Sequence, residues 1–191
     1  MEHIVGIGGY AVSGDAADVI KTFALGTCVG LVYYSMRKRV LGMSHIQLPN
    51  SRAMRTNDNL SRFADTAPEH LMKEMMQKFG VSKSEIHISL YGGIESVAAG
   101  DCFKIGEKNI ATVKASLKAL GLLYTDVDTG GNDSRTLVSY VSSGVVEVVK
   151  RPMTMRGVAM TRPGAAPGAA SARPGGLPAR PGGLPPRPGM R

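Results

Sequence analysis

Two residues in the stretch LGTCVGLVYYSMRKRVLGMSHIQLP, Leu25 to Pro49, are of types that do chemistry together: Cys28 and His45. An apolar, β-rich run from Cys28 to Tyr34 leads into a polar, basic turn at Ser35–Arg39, and a second apolar run extends from Val40 to Leu48. Folded as an antiparallel pair about Met36–Arg37, the runs place Cys28 opposite His45. Directly opposed Cβ atoms in such a ladder lie roughly 4.5–5.5 Å apart. A thiol within reach of an imidazole is the pairing of a cysteine nucleophile with its base. A thiol beside an imidazolium ionises near neutral pH, so Cys28 is expected to react with iodoacetamide below about pH 8. The Gly26-Thr27 step just before the cysteine offers backbone N–H groups to a developing oxyanion. Thr22 shares the parity of Cys28 along one strand, which puts its hydroxyl on the same face, able to accept the ring N–H. Against all this stands a plainer reading, in which a cysteine in an apolar strand is a small buried hydrophobe.

Other candidates carry less. Cys102 is the rival nucleophile, but it sits between Asp101 and Lys104 with no patterned histidine, and an adjacent carboxylate raises a thiol pKa. Cys28, His45, His87 and Cys102 lack the spacing of metal ligands, so neither a metal nor any other cofactor is expected. The Gly6-x-Gly8-Gly9 cluster lacks the third glycine and the lysine of phosphate-binding loops and reads as a turn.

The elements that would position these residues follow from periodicity. Val19–Leu25 reads as a strand that breaks at Gly26, and Met1–Asp15 as a strand with a Gly-rich turn. Thr66-Ala67-Pro68-Glu69 has the form of a capping box. It opens a helix with Leu71, Met72, Met75, Met76 and Phe79 at three- and four-residue spacing, closed by Gly80. Its methionine stripe is expected to face the core. Glu85–Tyr91 alternates as a strand, and a second helix is expected over Glu107–Leu120. Leu122–Val127 reads as a strand, and Thr136–Val141 with Val145–Val149 as a closing hairpin. Two helices among seven or eight short strands, without strict βαβ alternation, indicate an α+β fold with helices packed on mixed sheets.

The formal net charge of +8 belongs to one end of the chain. Setting aside the eight basic residues from Lys150 onward leaves the remaining Lys and Arg balanced against all 15 acidic residues. A nucleic-acid-binding fold would carry its basic face on its ordered part, so nucleic acid is not an expected partner. No apolar run approaches the ~20 residues of a membrane span. Two cysteines and no signal-like start point to the reducing cytoplasm. The expected division is a domain over residues 1–151 and, over residues 152–191, a Pro/Gly/Arg-rich tail with imperfect ARPGGLP repeats that cannot repay chain entropy.

The segments VGIGGYAVSGDAADVIKT and LGTCVGLVYYSMRKRVLGMSHIQLP, with SRFADTA, IGEKN (Ile105–Asn109) and TGGNDSR (Thr129–Arg135), resemble the CheD family of chemoreceptor glutamine deamidases. The resemblance runs from about Val5 to Val149 and includes T-x5-C and C-x16-H spacings followed by Leu-Pro. It implies a Cys-His-Thr triad at Cys28, His45 and Thr22, and a layered α/β sandwich similar to the catalytic domain of the cytotoxic necrotizing toxins. It also implies methyl-accepting chemotaxis receptors as protein substrate and a CheC-type phosphatase as a possible partner. The alternative under the same resemblance is a non-catalytic module that binds that phosphatase or the receptors. The chain departs from the family pattern at IESVAAG after Gly92-Gly93 and at Asp133-Ser134.

Overall fold

Strand β4 (Val29–Ser35) is buried along its whole length, and the alternation of its side chains creates the layers. The computed structural model describes residues 1–53, 59–95 and 103–153. Val29, Leu31 and Tyr33 point to one face, where they join Leu71, Met75, Val113 and Leu117 of the two helices. Val32 and Tyr34 point to the other, where they meet Ile20, Leu25 and Leu137 of a second sheet and Val141 just beyond its third strand. Each apolar side chain buried in this way stabilises the fold by about 1.5–3 kcal/mol. The order of layers is helices, five-stranded sheet, four-stranded sheet.

The central sheet has the order β2 (Tyr10–Ser13), β5 (Val40–Ile46), β4, β6 (Ile86–Gly92), β7 (Thr125–Thr129), with the β6–β7 pair parallel and the others antiparallel. The outer sheet has the order β1 (Glu2–Ile4), β3 (Val19–Leu25), β8 (Asp133–Tyr140), β9 (Val146–Pro152). There β1 runs parallel to β3, and the later pairs are antiparallel. The helices are α1 (Ala67–Phe79) and α2 (Ile105–Ala119). Mixed sheets with two helices are the α+β fold that the periodicity predicts. Met75 is fully buried and Met72 half-buried against the core, as expected of the stripe, while Met76 is largely exposed.

Gly30 explains why the two sheets can lie so close at this end. A Cβ there would come within 2.8 Å of Leu25 Cδ1 and 2.9 Å of Leu137 Cδ1, so the outer sheet's leucines occupy the space a side chain would need.

Four local expectations are corrected. The hairpin turn spans Met36–Arg39 rather than closing at Met36–Arg37, because Ser35 is fully buried and stays in the strand, opposite Val40. The register therefore pairs His45 with Gly30, not with Cys28. Thr66 does not form the capping box. Its hydroxyl donates to the Leu60 carbonyl at 2.6 Å and makes no cap hydrogen bond to the helix N–H groups. At the other end Gly80 closes the helix as expected, with φ of 62° and its N–H on the carbonyls of Met75 and Met76. The segment Met1–Asp15 gives two strands, one in each sheet, joined by a turn closed from Gly9 N–H to Gly6 carbonyl at 2.9 Å. The strand expected at Leu122–Val127 begins only at Thr125, since Leu122 is drawn into the helix-side core. Cys102, most of the loop around it and the expected tail beyond Met153 lie outside the described residues.

Candidate active site

Each sheet contributes to one buried corner. Thr22 lies in β3 of the outer sheet, fully buried, and faces inward. Beyond it β3 carries a bulge, where the register with β8 shifts between Thr22 and Leu25 and Ala24 takes φ of 52°. In a regular strand residues three apart face opposite ways. The bulge turns Phe23 and Ala24 outward and lets both Thr22 and Leu25 face the interior. A non-glycine residue in the left-handed region costs roughly 1–2 kcal/mol, which the surrounding structure must offset. The chain then crosses through Gly26 and Thr27 to the central sheet, where Cys28 immediately precedes β4 and packs, half-buried, on the inter-sheet core. Thr22 and Cys28 thus do not share a strand face, as parity suggests. Thr22 belongs to the outer sheet, and Cys28 immediately precedes a strand of the central one.

His45 is 2% exposed and reaches the gap between the sheets from β5. It shares a face of the central sheet with Cys28, offset by two residues along the neighbouring strand. That is the diagonal relation in which backbones are roughly 7–8 Å apart and longer side chains still meet. Thr22 Oγ1 lies 2.8 Å from His45 Nδ1 and donates to the Val5 carbonyl, also at 2.8 Å. A hydroxyl has one hydrogen. Because it goes to Val5, the oxygen accepts from Nδ1–H, and this sets the ring tautomer. Nε2 then carries a lone pair, is buried, and has no hydrogen-bond partner among the described residues. An imidazole with one nitrogen tied back and the other open is set up to accept a proton.

The electrostatics differ from the ion pair expected of the sequence. Burial pushes the Cys28 thiol above its ordinary value. Burial also pushes the His45 imidazole below its ordinary value of 6.5, against the opposing influence of the Val5 carbonyl, which favours the charged ring. Both shifts favour a neutral resting pair. Alkylation of Cys28 by iodoacetamide is therefore expected to climb with pH into the alkaline range, with no plateau at neutrality. A rate already at plateau near pH 7 would show that the ion pair exists after all.

The backbone around the cysteine is tied from outside. The Gly26 carbonyl accepts from Ile94 N–H at 3.0 Å and the Cys28 carbonyl from Gly93 N–H at 2.7 Å. The Thr27 carbonyl accepts from Asn109 Nδ2 at 2.9 Å. The N–H groups of Gly26, Thr27 and Cys28 donate to no backbone carbonyl among the described residues. On the rim, Arg62 Nε donates to Gln47 Oε1 at 2.7 Å, and the Asp65 carboxylate accepts from Ser51 N–H and Oγ. Among the described residues there is no group of three or more His, Cys, Asp or Glu side chains placed to hold a metal ion. A groove of about 760 Å³ lies elsewhere, between β6 and Leu122–Thr125, and includes none of these residues.

Sequence reasoning named Cys28, His45 and Thr22; the structure brings His45 and Thr22 into contact and sets Cys28 on the same face of the central sheet as His45, two residues off along the neighbouring strand. It missed Val5, which acts through a main-chain carbonyl and so leaves no mark in residue type. It also missed Asn109, for which there was a signal: an amide on the helix stripe that continues through Val113 and Leu117.

A family model described as CheD chemotactic sensory transduction matches residues 47–150. A Pyrococcus abyssi protein named probable chemoreceptor glutamine deamidase CheD is 38% identical over 148 residues, covering 76% of this chain and 90% of its own length. The chain belongs to the CheD family. A CheD from Bacillus licheniformis, named chemoreceptor glutamine deamidase, is 35% identical over 143 residues, covering 72% of this chain and 84% of its own. A Methanosarcina acetivorans relative, named probable chemoreceptor glutamine deamidase CheD 1, is 36% identical over 135 residues, with coverage of 71% and 83%. The solved structure of YlmD from Geobacillus stearothermophilus overlaps 62% of this CheD chain and 50% of its own. At 8% identity and a TM-score of 0.38, that overlap is too low to speak for a shared fold.

Proposed function

We propose that this CheD-family chain is a protein-glutamine deamidase acting on methyl-accepting chemoreceptors through a Cys28 thioester. The observation that carries the reading is the buried, unpartnered Nε2 of a histidine whose other nitrogen is held by Thr22, on the sheet face that also carries Cys28. His45 Nε2 takes the thiol proton as sulfur attacks the carboxamide carbon of a substrate glutamine. The oxyanion is received by backbone N–H groups among Gly26, Thr27 and Cys28. His45 returns the proton to the departing nitrogen, the C–N bond breaks, and ammonia leaves a thioester on Cys28. Water then loses a proton to Nε2 and attacks the thioester carbon, the C–S bond breaks, and the products are glutamate and the free thiol. No cofactor enters these steps.

The substrate class comes from the names of the relatives, and the fold likeness to the necrotizing toxin catalytic domain is carried as part of the same reading. So are a domain over residues 1–151 with a tail over 152–191, a cytoplasmic setting, and a CheC-type phosphatase as a second partner. No helix among the described residues is long and apolar enough to cross a membrane. The direct experiment is incubation with a receptor cytoplasmic fragment and peptide mass spectrometry. Glutamine-to-glutamate conversion with ammonia release is expected. If no glutamine changes while the folded protein still binds the fragment, the non-catalytic binding module is the better reading.

Thr22→Val tests the orienting hydroxyl. It removes the acceptor of His45 Nδ1–H with little change of volume, and kcat is expected to fall roughly 10- to 100-fold with KM unchanged. Steady-state assay of ammonia release measures both, and a full-rate variant would remove Thr22 from the triad.

A further inference from the structure

The antiparallel ladder between β4 and β5 ends at the pair Val29–Ile46. One residue beyond, at Cys28 and Gln47, the two strands are no longer paired, and this is where the candidate nucleophile sits. The amide of Asn109 spans the gap. Its Nδ2 donates to the Thr27 carbonyl at 2.9 Å and to the Gln47 carbonyl at 3.0 Å. Both partners are acceptors only, so the nitrogen must face them and both of its hydrogens are used. Asn109 is completely buried, and its Oδ1 has no partner among the described residues. An unsatisfied buried acceptor costs about 1–3 kcal/mol. The residue is thus a poor choice for stability alone.

We infer that Asn109 is a positioning residue, which stands in for the missing rung of the ladder and holds the cysteine segment at a fixed spacing and orientation relative to the histidine strand. The peptide unit is planar and trans, so its C=O and N–H point in opposite directions. Anchoring the Thr27 carbonyl on Asn109 therefore aims the Cys28 N–H the other way, as anchoring the Gly26 carbonyl on Ile94 aims the N–H of Thr27. Through Gln47 the same amide holds the strand that carries His45 two residues earlier. The amide is itself fixed, because Gly106 seats the first turn of α2 directly on Ile94 and Gly93. One side chain thereby ties together the two strands that hold thiol and base and the backbone that would hold the oxyanion.

This inference rests on the deamidase reading, and its test separates the two. Asn109→Asp keeps the shape but sets a carboxylate against two carbonyls, and Asn109→Ala removes the bridge. For each, kcat and KM on a receptor fragment are measured alongside the pH profile of Cys28 alkylation, with rates corrected for the folded fraction from near-UV circular dichroism. A fall in kcat of about 100-fold is expected, the scale of losing one aimed oxyanion donor. KM should stay within about 3-fold, and the alkylation profile should move away from that of the native protein. Variants that keep their corrected kcat, or lose it only in proportion to unfolding with an unmoved profile, overturn the inference. If the native protein modifies no receptor glutamine, the deamidase reading fails. The alkylation profile then still decides on Asn109, a moved profile supporting the positioning role and an unmoved one overturning it.

Discussion

Cys28→Ala is expected to lose receptor deamidation by more than about 10⁴-fold while keeping the native fold. The two halves of that statement have different origins. Activity goes because the covalent step has no substitute: water in the same corner would face an amide with no thioester to divide the barrier. The fold stays because Cys28 is only half-buried and precedes β4 rather than sitting in its ladder, so losing one sulfur costs on the order of 1 kcal/mol. His45→Gln should cost about as much, since a thiol raised by burial needs a base at hand. Combining the two should add almost nothing, because thiol and base act as one unit. Ammonia release by the two single variants and the double variant, with melting curves for each, checks the set. A double variant far worse than either single would mean that the two residues act independently.

Gly106→Ala is expected to damage stability most among single-methyl changes. A Cβ at Gly106 would lie 1.9 Å from the Ile94 carbonyl oxygen and 2.9 Å from backbone atoms of Gly93, with no flexible side-chain end among these contacts to yield. Relief requires α2 to lift from the chain just past the end of β6 or the Gly93–Ile94 segment to move. Both responses disturb the site, because the N–H groups of Gly93 and Ile94 hold the carbonyls of Cys28 and Gly26. Overpacking of this kind costs about 3 kcal/mol or more. For a domain of this size that lowers the melting temperature by roughly 6–12 °C. Gly6→Ala is the control: nothing lies within 4 Å of its added methyl, and its stability should change by less than about 0.5 kcal/mol. Differential scanning calorimetry of the two variants distinguishes a specific clash from a general penalty for losing glycine.

Much of the fold was legible because periodicity reports burial. The strand Val19–Leu25 has the bounds read from sequence, and α1 ends at Gly80 as its pattern requires. What periodicity could not report was which strands belong to which sheet. Val19–Leu25 and the run after Cys28 read as strands separated by a break at Gly26, yet they lie in different layers, and the break is a crossing rather than a pause. The bulge at Phe23–Ala24 inverted the parity used for Thr22, and the buried Ser35 lengthened the hairpin strand beyond its polar appearance. The pairing of Cys28 with His45 was therefore inferred from a register that does not hold. The true register instead places the two residues diagonally on the same face of the central sheet. Asn109 was hidden because a polar residue on an apolar stripe gives no clue to which distant carbonyls it meets.

The outer sheet carries one further consequence, for the order in which the molecule is made. Strand β3 gains its antiparallel neighbour only from β8, where Thr22 pairs with Leu137 near the far end of the domain. The hairpin of β4 and β5, by contrast, is complete once Ile46 has been synthesised. A chain emerging from the ribosome thus carries thiol and imidazole long before the sheet that orients the imidazole can close over them. A chain cut short before β8 is therefore expected to carry Cys28 and His45 without the antiparallel neighbour that β3, and with it Thr22, has in the full domain.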